Sequence, residues 1–577
     1  MFDGPQTEIA QHTHTEKYKQ KGETWEEFTY RLANGLKDSD EHYHALTNII
    51  GNQRFLFAGR IQSSIGSARQ TTAFNCYVSM TIPDSMNGIM QALSEAAETM
   101  RMGGGIGYDF STLRPRGTNI KSLQSSSSGP VSFMEIYNAM CGTISSAGHR
   151  RGAQMGVLRV DHPDIEEFVT VKNDLSKLTN FNISIAVTDK FMEAVKNDGT
   201  FDLVFDGTVY DTIRAVPLWD KIMRSTWDYA EPGLLFIDRI NEKNNLYYCE
   251  QIAATNPCGE QPLPPYGACL LGSINLVKYV SYVSGEDKGF FNFYELEEDI
   301  PHIVRAVDNV IDRTIYPLEA QEQEAKDKRR MGIGVTGLAN ALSMLGHDYG
   351  TEGAKLSTDR ILKFIRDNIY LASIDLAKEK GSFPKFDAEK FVQSGYCKTL
   401  DQYIRTSIQQ YGIRNSHLIS YAPTGTISLC ADNISSGIEP VFMKSGTRTI
   451  RDFDGEREVR VDDYAWRNHG ITPVTADMLT PDQHVDMLCI ASKYTDSAVS
   501  KTCNIGADVT WQEFKDVYMK AYEGGASGCT TFRLSGKRFG IMKADDEPVE
   551  EKVEEKALTE GAACYIDPST GVRTCDG

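Results

Sequence analysis

Apolar positions along this chain change period from stretch to stretch, and each period predicts an element. Residues 181–187 (Phe-Asn-Ile-Ser-Ile-Ala-Val) repeat at every second position, the spacing of a strand, and Thr188 with Asp189 offers an N-cap for a helix over 190–196. Ile303, Val304, Val307, Val310 and Ile311 share one helical face. Ile361, Ile365, Ile369, Ala372 and Leu376 share another, with Lys378, Lys380 and Gly381 as its stop. Trp25–Leu36 reads as a short helix in a polar N-terminal stretch. Strand-like and helical pieces alternate from residue 55 onward, which predicts an α/β core with parallel strands. The pattern fails over 545–560, where acidic residues, Lys, Val and Pro offer no apolar period and read as a flexible linker. The expected organisation is a mostly helical region over 1–54, a catalytic α/β domain over 55–540, and a linker with a cysteine-bearing tail over 541–577.

Charge and composition narrow the function. A net charge of −19 repels polyanions and argues against a nucleic-acid polymer as partner. No run of about 18 apolar residues predicts a membrane span, and the polar start has no apolar leader, so the cytoplasm is the expected location. Twelve cysteines in that setting are reduced thiols. No Cys-x-x-Cys pair occurs, so no metal site is expected. Cys564 and Cys575, beyond the linker, cannot both be core filler.

Chemistry concentrates at 255–260, Thr-Asn-Pro-Cys-Gly-Glu. Pro257 favours an extended Asn256, and an extended segment would project Asn256, Cys258 and Glu260 to one side. An amide, a thiol and a carboxylate at one spot suit hydrogen bonding, radical or nucleophilic chemistry, and proton transfer. The competing reading is a tight turn with a buried cysteine. Residues 421–428 (Tyr-Ala-Pro-Thr-Gly-Thr-Ile-Ser) place Pro423, Thr424, Gly425, Thr426 and Ser428 where a strand runs into a helix, a candidate anion site. The glycines over 103–107 lack the Lys and Ser/Thr of a phosphate-binding P-loop, and close strand packing explains them better.

Together these segments resemble ribonucleotide reductase catalytic subunits, in the compact form without an ATP cone. The resemblance rests on Asn-Pro-Cys-Gly-Glu-Gln-Pro-Leu at 256–263, Ala-Cys-Leu-Leu-Gly-Ser-Ile-Asn-Leu at 268–276 and Phe-Asn-Cys-Tyr-Val at 74–78. Met-Gly-Gly-Gly-Ile-Gly-Tyr at 102–108, Arg-Met-Gly-Ile-Gly-Val-Thr-Gly at 330–337, the 421–428 loop and Ser-Gly-Ile-Glu-Pro at 436–440 continue it in order. It implies a ten-stranded α/β barrel around a finger loop. It also implies a thiyl radical on Cys258, Glu260 as base, Asn256 on the sugar, and Cys76 with Cys269 as the redox pair. Cys564 and Cys575 would re-reduce that pair and pass on electrons from a thioredoxin- or glutaredoxin-type reductant. Asn75, Gly105, Pro423, Thr424, Gly425, Thr426 and Ser428 would contact the ribonucleotide substrate.

Regulation carries over in the same way. Asp84, Ser85 and Arg114 would bind a dNTP or ATP specificity effector at an effector-promoted homodimer interface. The loop with Arg150, Arg151 and Gln154 would relay the effector's identity. With no recognisable cone, on/off control by dATP is expected to be absent. The radical source divides two ways. The wording around Cys258 resembles adenosylcobalamin-dependent members, and Thr531-Phe532 stands where members with a ferritin-like dimetal subunit carry Tyr-Tyr. Whole-chain resemblance to minimal phage-type members nevertheless slightly favours the separate small subunit. Two other classes compete: a glycyl-radical enzyme, which lacks its C-terminal glycyl motif here, and a thiol redox sensor, which leaves Asn256 and Glu260 unexplained.

Overall fold

The structure is a computed structural model that describes residues 2–533 except 121–123, 147–149, 286–287 and 453–454, and beyond these 564–566 and 573–575. The 545–560 linker lies outside the described residues.

Helices α1 (Glu8–Lys17), α2 (Trp25–Leu36) and α3 (Asp40–Gly51) precede the first strand. α2 begins at Trp25 because Thr24 and Glu27 form a reciprocal capping box. Strand β1 (Phe55–Phe57) follows and leads into the barrel.

Five strands form one half-barrel: β2 (Cys76–Val78), β3 (Gly105–Asp109), β4 (Gln154–Arg159), β5 (Phe181–Val187) and β6 (Gly233–Phe236). Each runs parallel to the next. The second half begins with β7 (Ala268–Cys269), which continues past Leu270 into β8 (Leu271–Asn275), and β8 is parallel to β9 (Gly332–Thr336). Parallel bridges carry on from Ile333 to Ile419 and from Tyr421 to Val499. β10 (Thr502–Ile505) then pairs parallel with β11 (Gly528–Arg533). Antiparallel pairing of β6 with β11 and of β2 with β7 joins the halves at both seams. Following neighbour to neighbour returns to β2, so the ten extended segments close into the expected α/β barrel.

All seven residues of β5 are buried. Helices cover its outer face and the finger fills its inner one, the usual state of a parallel strand. Helix Asp189–Lys196 follows with Thr188 as its N-cap, as read from the sequence. The two long apolar stripes lie on α4 (Phe293–Arg313) and α5 (Glu352–Lys380), the latter ending at Gly381, and these helices pack on each other.

Candidate active site

A two-stranded hairpin crosses the barrel interior, with Ala254 and Thr255 paired to Leu263 and Pro262. Backbone cannot normally approach a strand this closely, because Cβ atoms intervene. Glycines at alternate positions on opposite walls remove them. A Cβ on Gly107 would stand 1.9 Å from the Thr255 carbonyl oxygen, and one on Gly105 would stand 3.2 Å from Pro257 and 3.3 Å from Cys76 Sγ. On the far wall a Cβ on Gly332 would meet Gln261 at 2.3 Å, and one on Gly334 would meet the Ser420 carbonyl at 2.4 Å. Gly105, Gly107 and Gly332 therefore form the slot for the finger, while Gly334 lets the neighbouring wall segment at Ser420 come close. Gly105, expected on the substrate, faces the finger and Cys76.

The finger's tip is a turn, which corrects the extended segment expected at 256–260. Gly259 has φ +86°, and Asn256 Oδ1 accepts from the Gly259 and Gln261 amides, both at 3.0 Å. Those bonds fold the chain back on itself, which period-two reasoning misses. Asn256 and Glu260 still meet, since Asn256 Nδ2 donates to Glu260 Oε1 at 2.9 Å. Both are buried, while Cys258 between them is half-buried. Three further bonds fix the tip: Asn182 Nδ2 to the Pro257 carbonyl at 3.1 Å, and Ser420 Oγ and the Ala498 amide to the Glu260 carbonyl at 2.8 and 3.0 Å. Asn182 and Ser420 had no site role in the sequence reading, and Gly332 appeared there only within a family segment. Their only signal was alternation of small and polar residues on strands.

Cys76 and Cys269 are direct cross-strand partners at the β2–β7 seam. Such pairs have Cα atoms about 4.5–5.5 Å apart, within disulfide range. Both are free thiols buried in the wall. Burial, with the Glu260 charge adding to it, pushes the Cys76 thiol up to about 12. Burial and then the neighbouring Cys76, Glu260 and Cys258 raise Cys269 well above its ordinary value. At neutral pH these two thiols hold their protons. Asn75 sits beside them, 9% exposed, with no hydrogen-bond partner for its buried Oδ1.

On its other side Cys258 faces an open cleft lined by Ser184, Lys501, Gly528, Cys529 and Thr530 among others. The expected phosphate loop lies across the barrel, with Thr424 at the N-cap of helix Gly425–Cys430 in a left-handed conformation, φ +56°. Two of its hydroxyls are braces rather than open donors. Thr424 Oγ1 accepts from the Gly437 amide at 2.7 Å and meets Thr336 Oγ1 at 2.9 Å. Ser428 Oγ donates to the Gly425 carbonyl at 3.0 Å and meets Ser436 Oγ at 2.9 Å. Pro423 is buried, and Gly425 and Thr426 are half-buried.

The residues expected to bind and relay an effector lie on other elements. Arg114 Nε donates to Asp84 Oδ2 at 2.7 Å, and Ser85 caps helix Met86–Arg101. Gln154 is buried in β4, with Oε1 accepting from Tyr108 Oη at 3.0 Å and Nε2 donating to the Tyr137 carbonyl at 3.2 Å. It is a wall residue rather than part of an open loop. Arg150 and Arg151 form a short ladder with Ser146 and Ser145, and their side chains lie outside the described residues. So do those of Cys564 and Cys575. Their backbones form an antiparallel ladder with Cys564 directly opposite Cys575, and strand Arg573–Cys575 lies against helix Gly425–Cys430.

A thiol at the tip of a finger inside a ten-stranded barrel, above two paired and protonated thiols, marks an oxidoreductase of the cysteine-based kind. The sequence matches the family described as ribonucleotide reductase, barrel domain, over residues 74–468 and 472–532. It is 36% identical over 499 residues to a vitamin B12-dependent ribonucleoside-diphosphate reductase of Mycobacterium tuberculosis (strain CDC 1551 / Oshkosh), covering 81% of this chain and 69% of the relative. A protein of the same description from Thermoplasma acidophilum is 35% identical over 517 residues, covering 84% of this chain and 64% of the relative. The chain thus spans about two thirds of the length of these relatives. It belongs to the ribonucleotide reductase family, as a catalytic subunit, an enzyme that reduces ribonucleotides.

The relatives' names overturn the preference for a separate ferritin-like subunit, since they are described as vitamin B12-dependent. The wall near Cys258 agrees. On β11 the Thr531 hydroxyl is 2.9 Å from Tyr518 Oη and Phe532 is buried, so the paired tyrosines of subunit-dependent members have no counterpart there. Among the described residues no helix is long and apolar enough to cross a membrane.

Proposed function

We propose that this chain reduces ribonucleoside diphosphates to 2′-deoxyribonucleotides by way of a thiyl radical on Cys258. The observation that carries this reading is the register of Cys76 against Cys269 next to the finger tip. The Cys258 thiyl takes the 3′-hydrogen of the ribose, and Glu260, oriented by Asn256, takes the 3′-hydroxyl proton. The 2′-hydroxyl leaves as water with a proton from Cys76 or Cys269, whose high pKa keeps that proton available. The two sulfurs then supply two electrons and become a disulfide, and the second thiol's hydrogen goes to C2′. Glu260 returns its proton to the 3′-oxygen, and Cys258 returns its hydrogen to C3′. Asn75 meets a sugar hydroxyl, a role supported by its buried Oδ1, which has no hydrogen-bond partner within the protein.

Cys564 and Cys575 exchange with that disulfide and restore both thiols, using a thioredoxin- or glutaredoxin-type reductant. The approach of Arg573–Cys575 to helix Gly425–Cys430 supports that route. Pro423 to Ser428 holds the substrate phosphates, chiefly through the amides of the helix's first turn, which have no partner within a helix. Asp84, Ser85 and Arg114 take a dNTP or ATP effector at a homodimer interface, in a cytoplasmic setting that keeps the thiols reduced.

Adenosylcobalamin is the proposed radical source. The open cleft beside Cys258 offers the hydroxyls of Ser184, Ser500, Thr502 and Thr530 as partners for a nucleoside-bearing group, which supports this choice. Bound there, the cofactor supplies the oxidising equivalent that removes the Cys258 thiol hydrogen. The test is purified protein with a ribonucleoside diphosphate, a dithiol and adenosylcobalamin. Deoxynucleotide formed only when cobalamin is present is the expected result, and no product under any cobalamin concentration overturns this choice of cofactor.

A further inference from the structure

Helix Gly425–Cys430 ends at Ala431, and the chain then reverses through Asp432 and Asn433, with φ of +65° and +59°. Two successive non-glycine residues in the left-handed region need outside support. For Asp432 that support comes from the far end of the chain. Its Oδ1 accepts from the Gln6 amide at 2.8 Å, the Thr7 amide at 2.7 Å and Thr7 Oγ1 at 3.0 Å. Thr7 is also the N-cap of α1, its hydroxyl accepting from the Ala10 amide at 3.3 Å. One hydroxyl thus ties the start of α1 to the turn that ends the phosphate-loop helix. Arg467 Nη1 donates to the Asp432 carbonyl at 3.2 Å, and Asn433 Nδ2 to the Asp462 carbonyl at 3.0 Å.

Apolar contacts follow the same path. Ile9 of α1, Leu429 of the phosphate-loop helix, and Ile450 and Val459 of the hairpin beyond it form an apolar cluster separate from the main core. Glu8 pairs with Arg457 of that hairpin. Asp432 is 5% exposed, so its bonds are made largely away from water, where charge-assisted hydrogen bonds are strong.

We propose that the N-terminal arm is a positioning device for substrate phosphate binding, with Thr7 and Asp432 as its positioning residues. The arm never touches substrate. It holds the C-terminal end of helix Gly425–Cys430 and so fixes where the helix's first-turn amides point. The inference rests on the reading of Pro423 to Ser428 as the phosphate loop. It also gives the N-terminal helices a role in the reaction, which their distance in sequence from the catalytic cysteines conceals.

The experiment is steady-state kinetics with a ribonucleoside diphosphate on Asp432→Ala, Asp432→Asn, Thr7→Val and Thr426→Ala, with thermal midpoints recorded alongside. Asp432→Ala should raise KM by about tenfold with kcat little changed, the signature of lost binding rather than lost chemistry. Asp432→Asn keeps an accepting oxygen and should restore most of the affinity, and Thr7→Val should fall between. Arg31→Ala, which breaks a contact to Glu23 elsewhere in the N-terminal helices, should leave KM unchanged. If Thr426→Ala raises KM while Asp432→Ala and Thr7→Val do not, the arm proposal fails and the phosphate-loop reading stands. If Thr426→Ala also leaves KM alone, the arm proposal fails, and Thr426→Pro, which removes a first-turn amide, decides the phosphate-loop reading: an unchanged KM there overturns it too. A fall in kcat and thermal midpoint with KM constant in the Asp432 variants marks a merely structural contact and overturns the proposal. Should Asp432→Ala fail to fold, Asp432→Asn and Thr7→Val decide the matter on the same readout.

Discussion

Two pairs of cysteines in this molecule share one local geometry and differ in their surroundings. Cys76 faces Cys269 across the antiparallel β2–β7 seam, and Cys564 faces Cys575 across a short antiparallel ladder. Either pair can close a disulfide without moving backbone. The first is sunk in the barrel wall beside Glu260, where burial holds its protons on. The second follows a stretch, 545–560, whose composition offers no core. A proton-holding pair is suited to reduce a sugar, but it is a poor partner for thiolate exchange with a bulky protein. A pair outside the wall has the opposite aptitude. Under the proposed function, separating the two tasks gives each pair its own role.

The largest effect expected from breaking this division is at the barrel pair. Cys76→Ala or Cys269→Ala should abolish deoxynucleotide formation even in a single turnover, a loss of at least about a thousandfold, because the two-electron step then lacks a sulfur. Rapid-quench product analysis checks it, and a normal first turnover would show that reduction draws on other thiols. Next comes the tail. Cys564→Ser with Cys575→Ser should allow one reduction per active site and then stall with a protein reductant, while a small dithiol restores cycling. Unimpaired cycling with the protein reductant would end the shuttle assignment.

A smaller contrast should appear in alkylation at pH 8. Cys76 and Cys269 should react with iodoacetamide at least about tenfold more slowly than Cys564 and Cys575, because only thiolate reacts. Peptide mass spectrometry of the intact protein gives the rates, and equal rates would dissolve the contrast. The smallest effect is on stability. The Cys76 pKa is raised from about 9 to about 12 on folding, so the folded state keeps a proton that the unfolded chain gives up. Its contribution is complete below pH 9 and is lost as pH rises toward 12, at up to about 1.4 kcal/mol per pH unit. Chemical denaturation from pH 8 to 11 should show a shallower decline in Cys76→Ala than in the parent.

Much of this was legible because it is local. The period of 181–187, the caps at Thr188 and Gly381, and the stripes on α4 and α5 are short-range patterns, and each marked its element. The Asn256, Cys258 and Glu260 grouping was legible as residue types but not as geometry. Asn256 spends its carbonyl oxygen on the Gly259 and Gln261 amides and so makes a turn from what Pro257 had suggested would be extended. Thr424 and Ser428 read as phosphate ligands, yet their hydroxyls brace Gly437 and Ser436, partners chosen by the fold of the loop. Gln154 read as a loop residue because nothing in its neighbours reveals Tyr108 and Tyr137. The tie from Thr7 to Asp432 joins opposite ends of the chain, and no periodicity reports such a contact. The slot for the finger lies between these cases: the glycine alternation was visible, but the backbone it admits was not.

The most direct test of the central claim is single-turnover reduction by Cys258→Ser, assayed with a ribonucleoside diphosphate, adenosylcobalamin and fully reduced Cys76 and Cys269. Serine keeps the shape at the finger tip, but its O–H bond is too strong to carry the radical. The account predicts substrate binding within a few-fold of the parent and no deoxynucleotide product. Product formed at a rate within about tenfold of the parent, a difference of only about 1.4 kcal/mol in barrier, would contradict it.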